Sequence, residues 1–127
     1  MATGMQRNTK QRRAIQEVFR VAERPLSPEE ILERARVHVK GIGQATVYRS
    51  IAGLLEDQFI VPVDIPGQPS RYELAGLKHH HHFACVGCGR VFELAGCPYN
   101  GKTDVPTGFT VTGHEVILYG TCDHCPA

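Results

Sequence analysis

Two cysteine pairs, Cys85-x-x-Cys88 and Cys122-x-x-Cys125, leave the second half of this 127-residue chain few ways to fold. Two residues between cysteines let one tight turn present two sulfurs to one ion, and zinc takes four thiolates tetrahedrally at about 2.3 Å. Whatever lies between residues 88 and 122 must then bring the two turns together, so the ion ties edge strands of one domain. Gly87 and Gly89 give the first turn its freedom. Four thiolates leave no position open for water, which makes such a site structural and not catalytic. Disulfides and a redox dithiol are the other uses of paired cysteines. The N-terminus, MATGMQRNTKQRR, is basic and polar with no apolar stretch behind it, and does not read as an export signal. In a chain that stays in the cell the pairs read as metal ligands before disulfides, and a redox dithiol would need only one of them.

No apolar run approaches the roughly 20 residues that span a bilayer, so the expected setting is the cytoplasm, with no membrane partner. A chain of 127 residues makes one domain or two very small ones, and small cores lean on a metal or a second subunit. The formal charge is only +1, but it is unevenly spread: residues 1–60 hold ten Lys/Arg against seven acids. The first thirteen residues carry Arg7, Lys10, Arg12 and Arg13 and no acid. Such a front half suits nucleic acid, although a solvated charged face has the same composition.

Periodicity divides the chain. A first helix is expected to start near Thr9, with Ile15, Val18, Phe19 and Ala22 on one buried face, and to break at Glu23-Arg24-Pro25. Ser27-Pro28-Glu29-Glu30 is a capping-box start: serine at the cap, proline at the first helical position, glutamate three residues on. Ile31, Leu32 and Ala35 face inward in that second helix, and Val47, Ile51, Leu54 and Leu55 in a third. The period then becomes extended over 59–65 and 70–74, around Pro66-Gly67-Gln68-Pro69. Three short helices and a hairpin make a winged helix-turn-helix, with a domain boundary near residue 76. Residues 79–85, 90–94 and 110–119 read as strands, and 97–108, with Pro98, Gly101 and Pro106, as a loop. The expected fold class is α+β: a winged-helix domain over 1–76, then a small α/β dimerisation domain over 77–127 carrying the four-cysteine zinc site.

With that inner face on the third helix, a 100° step per residue turns Thr46 and Arg49 outward and sets Tyr48 at the edge. This is the pose of a recognition helix, whose first residues enter the major groove, where arginine grips guanine and an aromatic edge touches a thymine methyl. Arg7 and Arg12 would lie near phosphates or a minor groove. A helical bundle could also carry Tyr and Arg outside; the hairpin directly after the helix favours DNA.

The run His79-His80-His81-His82 is the second chemical signal. On an extended segment alternate side chains point to opposite faces, so His79 and His81 serve one site and His80 and His82 another. Neutral imidazole suits zinc, iron, nickel or copper. Cys97 and His114 are candidates to complete the first set and Glu73 the second, although a lone cysteine is more often a small buried hydrophobe. No H-E-x-x-H or H-x-E pattern supplies a general base beside an open metal position, so neither an enzyme nor a small organic substrate is expected.

Together these residues resemble the ferric uptake regulator family of metal-dependent repressors. The likeness is carried by Thr9-x-Gln11-Arg12 through Ile15, Ala45-Thr46-Val47-Tyr48-Arg49, Tyr72-Glu73-Leu74, the histidine cluster, Cys85-x-x-Cys88-Gly89 and Tyr119-Gly120-x-Cys122. It implies a homodimer that binds a palindromic operator and represses metal-homeostasis genes when its sensor is loaded. It also implies roles: Cys85, Cys88, Cys122 and Cys125 as structural zinc ligands, Glu73, His80 and His82 as a hinge sensor, and His79, His81 and His114 as a site in the dimerisation domain. The chain departs from the family pattern where Pro25 or Leu26 stands in place of a further histidine. It departs again where a proline-containing loop replaces a long helix, and where His81 and Cys97 stand for an aspartate and a glutamate. Imidazole and thiolate are softer than carboxylate, which favours zinc over iron(II) or manganese(II) as the regulatory ion. An iron sensor comes next, and a peroxide sensor of the same fold is the nearer rival. A metal-storage module would leave the Tyr48-Arg49 helix without a purpose.

Overall fold

A computed structural model of the chain describes residues 2–99 and 101–125, with side chains from Lys10 onward. The chain divides into two compact units, Met1–Gly76 and Leu77–Ala127. No helix among the described residues is long and apolar enough to cross a membrane.

The first unit runs α1 (Ala2–Val21), α2 (Pro28–His38), α3 (Gln44–Glu56), β1 (Ile60–Val63) and β2 (Arg71–Leu74). Helix α1 starts well before Thr9, because Ala2, Met5, Gln6 and Arg7 are good helix formers and outweigh the stop that a Thr9 cap would impose. One core gathers Ile15, Val18 and Phe19 of α1, Ile31 and Ala35 of α2, Val47, Ile51 and Leu54 of α3, and Leu26, Ile42 and Ile60. Ala22, Leu32 and Leu55 are only partly buried, at the margin of the same core.

The capping box at Ser27 is formed: its Oγ accepts from the Glu30 amide at 3.2 Å, and Glu30 Oε1 accepts from the Ser27 amide at 3.1 Å. The same carboxylate takes Arg71 Nη1 of β2 at 2.9 Å and pairs with Arg24. One glutamate therefore caps α2 and fastens it to the hairpin. Burial works against its charge, but the hydrogen bonds and charge of Arg24, with the Ser27 contacts, hold the carboxyl below its ordinary range.

β1 and β2 pair antiparallel, Ile60 opposite Leu74 and Pro62 opposite Tyr72. Tyr72 spends its own N–H and carbonyl on Leu26, both at 2.9 Å, so Pro62 faces a pair position where no ladder donor is needed. The hairpin turns at Pro66-Gly67, with Gly67 at φ 79° and the Gln68 amide donating to the Ile65 carbonyl at 3.0 Å. Proline second and a left-handed glycine third is the chemistry of a type II turn.

The second unit, expected as α/β, holds three strands and no helix among the described residues: β3 (His81–Cys85), β4 (Val91–Leu94) and β5 (Ile117–Gly120). The order is β4-β3-β5, with β3–β4 antiparallel and β3–β5 parallel. The strand expected over 110–119 shrinks to four residues. Its register with β3 begins at His82 opposite Ile117, with the His82 amide donating to the Val116 carbonyl at 3.2 Å; residues 110–115 have no strand partner among the described residues, and β-propensity alone does not make them a strand. Likewise β3 starts at His81, with His79 in a bend and His80 in the irregular link before it.

Candidate metal centres and nucleic-acid interface

The mixed sheet explains where the ligands go. The C-terminal end of β3 carries Cys85, the turn to β4 carries Cys88, and parallel β5 ends at Gly120, opposite Cys85 and two residues before Cys122. The N-terminal end of β3 carries His81. Antiparallel β4 finishes there, with Leu94 opposite His81 and Cys97 just beyond, and β5 enters there after His114. One three-stranded sheet thus gathers sulfur at one end and histidine at the other, separated by about 13 Å at 3.3 Å per strand residue.

At the sulfur end the ligand atoms of Cys85, Cys88, Cys122 and Cys125 cluster together. Cys85–Cys125, Cys88–Cys122 and Cys122–Cys125 are each 3.7 Å apart at sulfur. A tetrahedron with Zn–S near 2.3 Å has an edge of about 3.8 Å, so the four sulfurs fit a zinc ion. The Cys85 sulfur also accepts from the amides of Cys88 at 3.4 Å and Cys122 at 3.3 Å. The Cys88 amide above all, against the cost of burial, and then the Cys122 amide hold the Cys85 thiol down to about 6. Cys125 is pushed up to about 12, mainly by its hydrogen bonds with the sulfurs of Cys85 and Cys122 and then by burial. Thiols this close cannot all ionise unless a cation balances them. Gly89 has φ 78°, but Gly87 is needed for space: a Cβ there would stand 3.0 Å from the Cys125 sulfur.

At the histidine end the structure brings together His79, His81, Cys97 and His114. Nε2 of His79 lies 3.4 Å from the Cys97 sulfur and 3.1 Å from His114 Nε2, and the Cys97 sulfur is 3.1 Å from His81 Nε2 and 3.0 Å from His114 Nε2. Three nitrogens and one sulfur at these separations approach the edges of a tetrahedral site, about 3.3 Å between nitrogens. His81 is 2% exposed. Burial first, then the neighbouring His79 and His114 rings, keeps its imidazole below the ordinary range and hence neutral, as a ligand requires. Its Nδ1, however, accepts the Val116 amide at 3.1 Å. A neutral ring so bonded carries its proton on Nε2, so ligation through Nε2 requires the proton to move to Nδ1 and the Val116 contact to give way.

The alternate histidines form their own pair, with the His80 and His82 rings 4.9 Å apart. His80 Nδ1 lies 2.7 Å from the Lys78 carbonyl; donating to it leaves Nε2 the lone pair that a ligand needs. Glu73 sits on β2 of the first unit, opposite Val61. Sequence reasoning did not single out Tyr99, whose ring lies 4.5 Å from His114 and whose carbonyl faces the Cys97 sulfur at 3.7 Å. Only its spacing two residues after Cys97 could have suggested it. Asp123 and His124 lie beside Cys122 as a highly exposed pair.

On the first unit, Arg49 is exposed, Tyr48 is 45% exposed, and Thr46 is half-buried. Arg49 Nη2 donates to Thr46 Oγ1 at 3.2 Å. Arg12, an expected phosphate contact, is ion-paired with Asp57. The side chain of Arg7 lies outside the described residues.

Residues 3–119 match the ferric uptake regulator family. The chain belongs to that family. It is 30% identical over 122 residues to the ferric uptake regulation protein of Helicobacter pylori strain 26695, covering 94% of this chain and 81% of that one. The solved structure of the Helicobacter pylori ferric uptake regulator, described as having three functional metal binding sites, superposes with a TM-score of 0.69 at 25% identity, over 98% of this chain and 87% of that one. FurB of M. tuberculosis, a zinc uptake regulator, superposes with a TM-score of 0.57 at 25% identity, over 99% and 100% of the two chains. Membership makes this ferric uptake regulator relative a metal-responsive transcriptional regulator, with an α+β fold and a cysteine cluster able to hold zinc.

Proposed function

We propose that this family member is a zinc-sensing repressor acting as a homodimer on palindromic operator DNA. The observation that carries the reading is the convergence of His79, His81, Cys97 and His114 to ligand separations of 3.0–3.4 Å. Three imidazoles and a thiolate form a donor set soft enough to favour zinc over iron(II) or manganese(II). The likeness to a zinc uptake regulator along the whole chain supports this reading, and the relatives named for ferric uptake make iron(II) the alternative.

In this reading Cys85, Cys88, Cys122 and Cys125 hold a structural zinc, while the histidine–cysteine set and the hinge group of Glu73, His80 and His82 respond to the regulatory ion. Bound metal supplies a charged crosslink among its ligands. Glu73 comes from the winged-helix half and the histidines from the other, so ligation by all three fixes the hinge. A fixed hinge sets the spacing of two recognition helices, which must meet half-sites about one helical turn or a multiple apart. Thr46, Tyr48 and Arg49 read base edges, and Arg12 and Arg7 grip phosphates. A hundredfold gain in DNA affinity requires about 2.7 kcal/mol of preference of the ion for the DNA-competent state, within the usual range of coupling.

The test is selection from a random-sequence duplex pool with protein loaded to equal occupancy with zinc, iron(II) or manganese(II). Zinc-loaded protein is expected to enrich a sequence with two-fold symmetry. Enrichment by iron(II) and not by zinc overturns the metal assignment, and enrichment by none overturns the repressor.

A further inference from the structure

We propose that the concavity between α1 and α3 is a seat for one DNA backbone phosphate, built on Arg12, lined by Gly53 and oriented by Asp57. The inference rests on the DNA-binding reading and adds to it the residues that shape the place of one phosphate.

The concavity, about 230 Å³, is lined by Gln11 and Arg12 of α1 and by Thr46, Arg49, Ser50 and Gly53 of α3. On α3 the positions 46, 49/50, 53 and 57 follow one another at three- and four-residue steps, so they form a line along one face. Helix α1 meets that line at Gly53. A Cβ there would stand 3.4 Å from Arg12 Nη2 and 3.8 Å from Cζ, ordinary contact distances, so the guanidinium lies directly beside this position. With no side chain at Gly53, the concavity beside the guanidinium is left unfilled, and a long side chain there would occupy it.

Asp57, one turn beyond Gly53, pairs with Arg12 through Nη2. A guanidinium is a planar fork with five N–H donors. One donor engaged by Asp57 fixes the plane of the fork and leaves four for another acceptor. Asp57 is thus a positioning residue; it does not line the concavity. The lining itself offers two cations and three neutral hydrogen-bonding side chains, and no carboxylate. That chemistry selects a singly charged oxyanion with several acceptor oxygens, which a phosphodiester is. In helix-turn-helix proteins the recognition helix enters the groove while an earlier helix crosses the backbone. A seat where α1 meets α3 therefore matches a phosphate better than a base edge. Arg49, bonded to Thr46 at the rim, adds its charge to the seat.

The test is the salt dependence of binding of zinc-loaded full-length protein to a mixed-sequence duplex, for the parent, Gly53→Leu, Arg12→Gln and, as control, Arg36→Gln on the exposed side of α2. Each phosphate contact adds about 0.9 to the log–log salt slope. Gly53→Leu fills the seat but keeps every charge, and Arg12→Gln keeps the space but removes the fork. Both are expected to lower the slope by about one contact, while Arg36→Gln leaves it unchanged. A Gly53→Leu protein that keeps its helical circular dichroism and the parent slope overturns the seat and leaves DNA binding standing. A parent that shows no salt-dependent binding overturns both. If Gly53→Leu loses its helical signal, Arg12→Gln decides alone: a parent-like slope overturns the seat.

Discussion

Cys97 is where one side chain decides most. In sequence it is an unpaired cysteine in a proline-containing loop; in space its sulfur lies within 3.4 Å of three imidazole nitrogens. Cys97→Ser replaces a soft thiolate by a weakly acidic hydroxyl without changing shape. Zinc affinity at this site is expected to fall by more than the roughly 10–100-fold that loss of a mere outer-shell partner costs, while one tightly held zinc remains on the four other cysteines. Isothermal titration with zinc, alongside metal content after dialysis, checks this. Unchanged affinity of the weaker site would remove Cys97 from the ligand set.

At the scale of elements, α2 depends on Glu30 at both its cap and its tie to β2. Its carboxyl is lowered from an ordinary value of 4.5. A lowered folded value means that the charge stabilises the fold above the unfolded value, and that this contribution is lost as pH falls through the lower, folded value. Acidification below pH 4.5 is therefore expected to loosen the first unit, and Glu30→Gln to remove that dependence. Because Glu30 is about one-fifth exposed at its side chain, the substitution is expected to cost about 2 kcal/mol near neutral pH, the worth of a charged hydrogen-bond partner. Urea unfolding followed by the helical signal at pH 7 and pH 4 measures both; an equal midpoint for parent and variant at pH 7 contradicts the role.

At the scale of the whole molecule the two units differ in what holds them. The first buries a continuous apolar core from three helices and the hairpin. In the second, the buried residues among those described are His81, Ala84, Cys85 and Val91, too little to hold three short strands by burial alone. In the proposed reading the four-cysteine centre supplies much of the difference, as structural zinc does in small domains. Chelation, or Cys85→Ser, is expected to abolish amide-exchange protection in β3 and β5 while the helical signal of the first unit persists. Protection of residues 81–85 and 117–120 that survives chelation would show a fold independent of metal.

Much of this was written in the chain itself. The three- and four-residue spacing of Ile15, Val18 and Phe19, the Ser27–Glu30 box and the Pro66-Gly67 turn are local rules, and local rules act before any tertiary contact exists. The pairing of His79 with His81 and of His80 with His82 was also legible from alternation, although the strand itself begins only at His81. Tertiary structure decided the rest, because it depends on which segments meet. Residues 110–115 have no strand partner among those described, Tyr99 came to rest on His114, the Val116 amide met the inner nitrogen of His81, and Asp57 claimed Arg12 from a helix 45 residues away in sequence. No periodicity encodes such encounters; they arise when a parallel strand and a crossing helix carry distant residues to the same place.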